Sequence, residues 1–359
     1  MKSRKLSGSQ RYRLLWGKCE KFFIPRHNGA LSHYRAVSSY FLGVSMAINW
    51  FPGHMHKARK EIKQVMPQMD LIIEVLDARI PFSSENPMVP ALRGDTPVIK
   101  VLNKRDLADP EVTALWQQWL EREKGTRAIT LTHNQRSEAL EILQLAQTMV
   151  SDSIRDTRAL RIMILGIPNV GKSTLINTLA GRAVAKTGNE PAVTRAQQAI
   201  KLPDNILLYD TPGFLWPKLT PEECGYRLAV TGAIRAAVIE FEDVALFAAD
   251  YLLRAYPDRV CERYGLDGKP RDGLALMDAI AARRRFFARG GIPDLHKVSE
   301  VLLNELRAGT LGPVSLETPA MVEQEQAREA EREARKQEQE QTRNQERRDK
   351  GKRNRNGEL

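Results

Sequence analysis

The stretch GIPNVGKST, residues 166 to 174, has the spacing Gly-x4-Gly-Lys-Ser, with a predicted strand before it and a predicted helix after it. In such a loop the glycines let backbone N–H groups turn toward phosphate oxygens, and the helix adds its positive end. Lys172 would reach the β- and γ-phosphates, which also makes it a candidate catalytic residue, and the Ser173 hydroxyl would bind Mg²⁺. The predicted phosphate-binding residues are Asn169, Val170, Gly171, Lys172, Ser173 and Thr174.

A second motif, LLYDTPG at residues 207–213, follows about forty residues later. Asp210 would hold Mg²⁺ through water at the end of a strand, and the Gly213 N–H would sense the γ-phosphate. An Asp-x-x-Gly alone is common in turns, but its distance from the loop supports the assignment. Thr194, in the intervening GNEPAVTR, would supply a further metal ligand and is a second candidate catalytic residue. The predicted metal ligands are Ser173, Thr194 and Asp210.

The stretch VLNKRD, residues 101–106, predicts recognition of a guanine base. The Asp106 carboxylate can accept hydrogen bonds from both N1–H and the N2 amine of guanine, whereas adenine has no N1 proton. Asn103 would bind the opposite edge, and the Lys104 stem would cover the ring face. Thr132 and His133, in LTHN, would support the base, although they match that position imperfectly. Sites of this kind reject the wrong substrate by roughly 10⁴.

The order of these motifs is unusual, because the base-reading motif precedes the phosphate-binding loop by about sixty residues. In ordinary GTPases it follows the loop. A compact domain whose termini lie close together tolerates cutting and rejoining of the chain. The sequence therefore predicts a circularly permuted GTPase.

The elements that would position the motifs alternate between strand and helix from Ala47 to Asp210, which predicts an α/β fold with a mostly parallel, doubly wound sheet. QQAIKLPDNILLYD reads as a hairpin. After Pro217 only helical patterns appear. We expect four regions: a basic leader at 1–45, a circularly permuted P-loop GTPase domain at 46–217, a small all-helical C-terminal domain at 218–318, and a charged, largely disordered tail at 319–359.

Composition narrows the class of protein. The 359 residues contain 42% hydrophobic residues and no apolar run long enough to span a bilayer. Three scattered cysteines fit a reduced compartment. The net charge is +11, but residues 1–45 alone hold nine Lys or Arg and one acid. That leader is compatible with a transit peptide, with an RNA-binding arm, or with an open reading frame whose true start is Met46.

Several longer stretches resemble the bacterial YlqF/RbgA family of ribosome biogenesis GTPases, from about Ile48 to Glu317. They are NWFPGHMHKARKEI, DARIPFSSENP, NKRDL, GIPNVGKSTLIN, DTPGFLWP, and RLAVTGAI followed by ERYGLD. The resemblance implies a cytoplasmic GTPase, monomeric off the ribosome and not bound to membranes. It would bind GTP and GDP, and its partners would be the precursor of the large (50S) ribosomal subunit, with its rRNA and ribosomal proteins.

Catalysis requires a substitute for the glutamine that often follows Asp-x-x-Gly, because Phe214 occupies that place and cannot orient water. Slow hydrolysis of GTP to GDP and phosphate is expected unless it is stimulated by potassium and ribosomal particles. The resemblance gives His54 a catalytic role, although a His there can also simply cap the following helix. Asn169 resembles the residue that lets such GTPases bind K⁺ near the β–γ bridge.

The stretch ARRRFFARGG, residues 282–291, is the best local candidate for RNA contact. Its arginines would meet phosphates, and Phe286 or Phe287 would stack on bases. Alternatively, both phenylalanines belong to the core and the arginines form a solvated face. The candidate RNA-binding residues are Arg283, Arg284, Arg285 and Arg289.

Two other functions fit the same residues. One is an RNA or ribosome scaffold that holds nucleotide with negligible turnover. The other is a mitochondrial ribosome assembly relative, which would depend on the leader.

Overall fold

The computed structural model describes residues 60, 62–132, 135–185, 198–213, 215–216, 219–234 and 240–356, with side chains except at Gln198 and 347–356. The leader at 1–45, His54, His133, Thr194 and Phe214 lie outside these residues.

A six-stranded sheet forms the centre of the nucleotide-binding part. The strands are Leu71–Asp77 (β1), Val98–Asn103 (β2), Thr126–Leu131 (β3), Leu160–Gly166 (β4), Gln198–Leu202 (β5) and Ile206–Asp210 (β6). They lie in the order β3-β2-β1-β4-β6-β5, and every neighbouring pair is parallel except β5 and β6, so the predicted mostly parallel α/β fold is confirmed.

The two strands β1 and β2 are buried along their whole length, as expected for parallel strands that are covered on both faces. The antiparallel pair β5–β6 confirms the predicted hairpin, and Asp204 and Asn205 make its turn with φ of 55° each. Asx residues tolerate this left-handed region better than most side chains.

Permutation does not disturb the sheet. The strand β4, which leads into the phosphate-binding loop, lies between β1 and β6 although three strands precede it in the chain. The carboxyl ends of parallel strands meet at one edge, where open α/β sheets bind ligands. Asp77, Asn103, Gly166 and Asp210 each end a strand at that edge.

Several helices accompany the sheet. They are Pro81–Ser84 (α1), Val89–Arg93 (α2), Pro110–Leu120 (α3), Arg136–Met149 (α4), Asp152–Thr157 (α5) and Lys172–Ala180 (α6). Helix α3 shows how the sequence sets a helix start: the Asp109 side chain accepts hydrogen bonds from Glu111 N at 3.0 Å and Val112 N at 3.3 Å, with Pro110 in the first position.

The chain changes from sheet to helices between Asp210 and Glu222. Helix Phe241–Ala255 packs against helices Gly273–Arg284 and Leu295–Arg307, and the buried side chains between them are small or aliphatic, such as Ala248, Leu276 and Leu302. In the described residues this part has no strand, only the isolated bridge Phe287–Pro293. The helices are Glu222–Val230 (α7), Phe241–Ala255 (α8), Pro257–Tyr264 (α9), Gly273–Arg284 (α10) and Leu295–Arg307 (α11).

The tail differs from the prediction that residues 319–359 are largely disordered. Residues Pro319–Asn356 form one helix, α12, of 38 residues, which is about 57 Å long at 1.5 Å per residue. Val322 is fully buried in its first turns, and Trp119 Nε1 of α3 donates a 3.1 Å hydrogen bond to Glu323. The rest of the helix lacks an apolar stripe, so hydrophobic periodicity does not reveal it, but Ala, Glu, Gln, Arg and Lys are strong helix formers.

No helix in the described residues has both the length and the apolar character needed to cross a bilayer.

A buried arginine joins the helical domain, the sheet domain and helix α12. Arg227, on α7, donates to both Glu325 oxygens at 2.8 and 2.5 Å and to Glu317 at 3.2 Å. The Glu317 carboxylate also accepts from Ser83 N of α1 at 3.0 Å. Burial raises the pKa of Glu317 although Arg227 opposes the shift. Two carboxylates are therefore held around one guanidinium, away from water.

We expect Arg227→Met to lower the free energy of unfolding by about 3–5 kcal/mol, because it leaves two buried carboxylates without their cation. Arg328→Met is the matched control, since Arg328 is exposed and pairs with Glu223 at 3.7 Å, and such surface pairs contribute about 0–1 kcal/mol. Urea denaturation of both variants measures the difference, and equal losses would contradict this account of the junction.

Candidate nucleotide-binding site

The phosphate-binding loop connects β4, which ends at Gly166, to α6, which begins at Lys172. Its glycines are required by space: a Cβ on Gly166 would lie 2.9 Å from the Val170 side chain, and one on Gly171 would clash with the Asn103 amide. Gly171 also has φ of 99°, in the region that favours glycine. The loop can therefore keep this backbone path only with glycine at positions 166 and 171.

Lys172 and Asp210 form an ion pair at the start of α6 and the end of β6. Both are almost fully buried, at 5% and 1% exposure. Burial lowers the pKa of the Lys172 ammonium, and the neighbouring Asp210 only partly offsets this. A bound phosphate would compete with Asp210 for the ammonium, because it offers more negative charge. Thr211 Oγ1 fixes the end of β6 by donating to Ile164 O at 2.8 Å.

The residues at this edge fit Mg²⁺. The Ser173 hydroxyl and the Asp210 carboxylate are oxygen donors, and Mg²⁺ usually takes one or two protein oxygens together with phosphates and waters. The described residues contain no group of three or more His, Cys, Asp or Glu that would hold a metal by itself. When bound, the ion would neutralise charge on the β- and γ-phosphates. Thr194, the other predicted ligand, lies outside the described residues.

Gly213 lies against the phosphate-binding loop, since a Cβ on it would be 3.3 Å from Pro168 N. The two motifs predicted to act on the phosphates are thus adjacent. Asn169, with φ of 60°, turns its side chain toward the helical domain, where Nδ2 donates to Gly232 O at 2.8 Å. Its role as a K⁺ ligand stays a prediction.

The base-reading motif is bonded directly to the phosphate-binding loop. Asn103 Nδ2 donates to Val170 O at 2.7 Å, and Lys104 Nζ donates to Asn169 O at 2.8 Å. Asp106 lies in the 3₁₀ turn that follows and is exposed to solvent. Residues that are 65 and 67 positions apart in the chain therefore share one site.

A pocket lies between the two motifs. It brings together residues predicted from three separate stretches, namely Asn103, Thr132, Gly171 and Thr174. The remaining lining comes from the end of β3 and from helices α4 and α6: Leu131, Gln135, Ala139, Leu175 and Thr178. A pocket bounded by the amide of Asn103 and the start of α6 suits the base and ribose of a nucleotide whose phosphates occupy the loop.

Sequence reasoning missed Arg105, the variable residue of the Asn-Lys-x-Asp motif. Its guanidinium donates to Thr132 Oγ1 at 2.9 Å and to Glu138 at 2.8 Å. Glu138 in turn accepts from Thr132 N at 2.9 Å. Arg105 thus fixes the support loop relative to the base-reading turn, and an arginine at a variable position gives no local signal of that.

The predicted RNA-binding arginines are not equivalent. Arg283 pairs with Asp267 at 3.2 Å and Arg284 with Glu305 at 3.1 Å. Arg285 and Arg289 are exposed, and among the described residues no ion pair involves them.

The two phenylalanines of this stretch also differ. Phe286 packs against the core with Lys297 Nζ 4.8 Å from its ring centroid, whereas Phe287 is 47% exposed. Arg285 ends α10 with φ of 57°, and a short hairpin follows, closed by Ala288 N donating to Ile292 O at 2.8 Å. The hairpin explains why two adjacent phenylalanines face different surroundings.

The fold and this site define a class: P-loop GTPases whose motifs occur in circularly permuted order. A family model described as "50S ribosome-binding GTPase" matches residues 161–269, which begin with the strand of the phosphate-binding loop and exclude Asn103. This agrees with the permuted order, since the base-reading motif lies before the matched segment.

Named relatives extend the match over most of the chain. Ribosome biogenesis GTPase A of Priestia megaterium is 42% identical and covers 78% of this chain and 99% of its own; that of Bacillus cereus is 44% identical and covers 76% and 95%. Mitochondrial ribosome-associated GTPase 1 of Bos taurus is 33% identical and covers 75% and 88%. GNP-bound YlqF from T. maritima has a TM-score of 0.52 at 26% identity, covering 73% and 98%. The chain belongs to the ribosome biogenesis GTPase A (YlqF/RbgA) family, and it is a GTPase.

We predict that Asp106→Asn weakens GDP binding by roughly 10²-fold or more and strengthens binding of xanthosine diphosphate, whose C2 oxygen accepts from the new amide. Titration calorimetry measures the affinities of both proteins for GDP and for xanthosine diphosphate. Asp109→Asn is the control, because it makes the same change three residues later, at an aspartate whose side chain caps α3 and is not part of the Asn-Lys-x-Asp motif. Undiminished GDP affinity, or no gain for the xanthine nucleotide, would refute the base-reading role of Asp106.

Proposed function

We propose that this GTPase acts on the maturing large (50S) ribosomal subunit in the cytoplasm and hydrolyses GTP to time its own release. The observation that carries the proposal is the bonding of Asn103 and Lys104 to the phosphate-binding loop, in a chain whose relatives are named ribosome biogenesis GTPases. GTP and GDP would bind with Mg²⁺ at the described edge of the sheet. The protein would be a monomer off the ribosome.

The contacts between the phosphate-binding loop and α7 support a nucleotide-dependent change of shape. Asn169 bonds to Gly232 O, and Arg307 of α11 donates to Val230 O at 2.7 Å and Ala229 O at 2.8 Å. The loop thus touches the end of α7, and α11 holds the same turn from the other side. Closure of Gly213 on a γ-phosphate would pull on the segment that leads into α7, so the GTP and GDP states would present different surfaces.

The RNA-binding surface would be centred on the hairpin between α10 and α11. Arg285 and Arg289 would contact phosphates, and the exposed ring of Phe287 would stack on an unpaired base. Ile292, also exposed at 45%, lies on the same hairpin. Arg283 and Arg284 already have acidic partners, so we assign them a smaller share of the binding than the sequence alone suggested.

Another group would have to orient the attacking water, because Phe214, which follows Gly213, cannot do so. His54 is the proposed group, and K⁺ held by Asn169 would add positive charge near the β–γ bridge. Ribosomal particles would stimulate the reaction by closing the switch.

A mitochondrial role is the second candidate, favoured by the similarity to Mitochondrial ribosome-associated GTPase 1 of Bos taurus and by the basic, acid-poor leader. N-terminal sequencing of the native protein separates the two. Removal of the leader inside an organelle supports the mitochondrial role, and a start at Met46 supports the cytoplasmic one.

We expect Arg285→Glu/Arg289→Glu to reduce cosedimentation with large-subunit precursors by about tenfold or more, since each lost phosphate contact weakens binding and lowers its salt dependence. Arg328→Glu/Arg332→Glu makes the same change of charge on the exposed face of α12 and should cosediment normally. The assay is run with GDP, a GTP analogue and no nucleotide. Equal retention of the two variants would reject the hairpin as the RNA surface.

Replacing K⁺ by Na⁺ at constant ionic strength should lower the rate of multiple-turnover GTP hydrolysis several-fold. The bound K⁺ would supply positive charge near the β–γ bridge, as an arginine finger does, and Na⁺ would fit that site less well. Phosphate release is followed with and without large-subunit precursors. Equal rates in the two salts would remove the K⁺ proposal, and a negligible rate unaffected by either particles or K⁺ would favour a nucleotide-binding scaffold.

A further inference from the structure

Asp77, at the end of β1, is a buried anion beside the base-reading motif. Its side chain is 2% exposed and carries two cations: Arg79 bonds to both of its oxygens, at 2.9 and 2.8 Å, and Lys104 Nζ bonds to Oδ2 at 2.9 Å. Burial alone would raise the pKa of Asp77, but Arg79 and Lys104 hold it far below its usual range. The geometry therefore places a charged carboxylate between two cations.

Lys104 depends on this anion for its position. Its backbone is left-handed, with φ of 60° and ψ of 38°, and its carbonyl accepts from Leu107 N at 3.0 Å, which closes the turn that carries Asp106. Among the residues that the structure describes, its ammonium donates to Asp77 Oδ2 and Asn169 O. A lysine side chain has many rotamers, so a buried carboxylate on one side and a loop carbonyl on the other select the rotamer that spans the base site.

Arg79 extends the arrangement to the end of the helical domain. Its backbone carbonyl accepts from Leu316 N at 2.8 Å, and Leu316 O accepts from Arg227 at 3.1 Å. The same segment, residues 314–317, also bonds to the base-reading turn, where Val314 N donates to Leu107 O at 2.9 Å. The turn with Asp106 is thus held by Asp77 through Lys104 and, from its other end, by this segment.

We propose that Asp77 is a positioning residue for guanine nucleotide, acting through Lys104, and that Arg79 joins it to residues 314–317 and so to the helical domain. The inference rests on the proposed base-reading role of Asn103, Lys104 and Asp106. Removal of the Asp77 carboxylate would free Lys104 from the base site and weaken nucleotide binding, although Asp77 itself would not touch the nucleotide.

The test must separate positioning from folding, because Asp77→Asn leaves the buried Arg79 without its counter-charge. The double variant Asp77→Asn/Arg79→Met removes both charges, and replacing a buried pair by neutral groups is often tolerated. Lys104→Met removes the acting group itself and is only partly buried, at 20% exposure of its side chain. GDP and inosine diphosphate affinities are measured for each variant, with thermal unfolding as the check on folding.

We expect Asp77→Asn/Arg79→Met and Lys104→Met each to weaken GDP binding by about 10- to 100-fold, the range for losing a hydrogen bond to a charged group. Combining them should give no further loss beyond about twofold, because both remove the same interaction. The control Arg93→Met/Glu123→Gln neutralises a 2.7 Å ion pair remote from the site and should bind GDP as the unmodified protein does.

A folded Asp77→Asn/Arg79→Met protein with undiminished GDP affinity overturns the proposal, and so does a loss that multiplies with that of Lys104→Met, which shows a purely structural effect. Lys104→Met binding GDP normally also overturns it, even if the double variant does not fold. Asp106→Asn distinguishes this failure from failure of the base-reading role. If Asp106→Asn gains affinity for xanthosine diphosphate while the Asp77 variants bind GDP normally, only the positioning role is lost. If Asp106→Asn gains no affinity for xanthosine diphosphate, the base-reading role fails.

Discussion

Two hydrogen bonds between the base-reading motif and the phosphate-binding loop hold the site together. Asn103 and Lys104 donate to the carbonyls of Val170 and Asn169 at 2.7 and 2.8 Å. The two segments follow different strands that are separated by β1, so these two bonds are direct contacts between the purine end and the phosphate end of the site. The absence of a Cβ at Gly171 is what allows the amide of Asn103 to approach the loop so closely.

Permutation gives these bonds a second role. The phosphate half of the site leads directly into α7, and the end of the helical domain returns to the base half through residues 314–317. The helical domain is therefore connected to the site at both ends, through Asn169 and Gly232 on one side and through Arg79 and Leu107 on the other. In a domain of ordinary order, the segment that follows Asp210 and Gly213 would lead back into the sheet instead of into a helical domain.

The sequence predicted what depends on local spacing. Gly166, Gly171, Lys172 and Asp210 stand at fixed offsets from strand ends, and the parallel sheet then brings those ends together. The contacts of Asp77 and Arg105 with predicted site residues were missed because their partners lie 27 positions along the chain, at Lys104 and Thr132. No periodicity connects such pairs.

The sequence also did not predict which side chains are buried where tertiary contacts decide this. It could not distinguish Phe286 from Phe287, since the turn at Arg285 rather than helical spacing sets their directions. The length of helix α12 was not predicted, because its helix-forming residues carry no apolar face, and its anchoring by Val322 and Glu325 depends on two other domains. That anchoring makes α12 a lever: a tilt of about 10° at its root would sweep the far end of a 57 Å rod through roughly 10 Å. Small readjustments around one guanidinium would thus become displacements the width of a helix at a distant point on the surface.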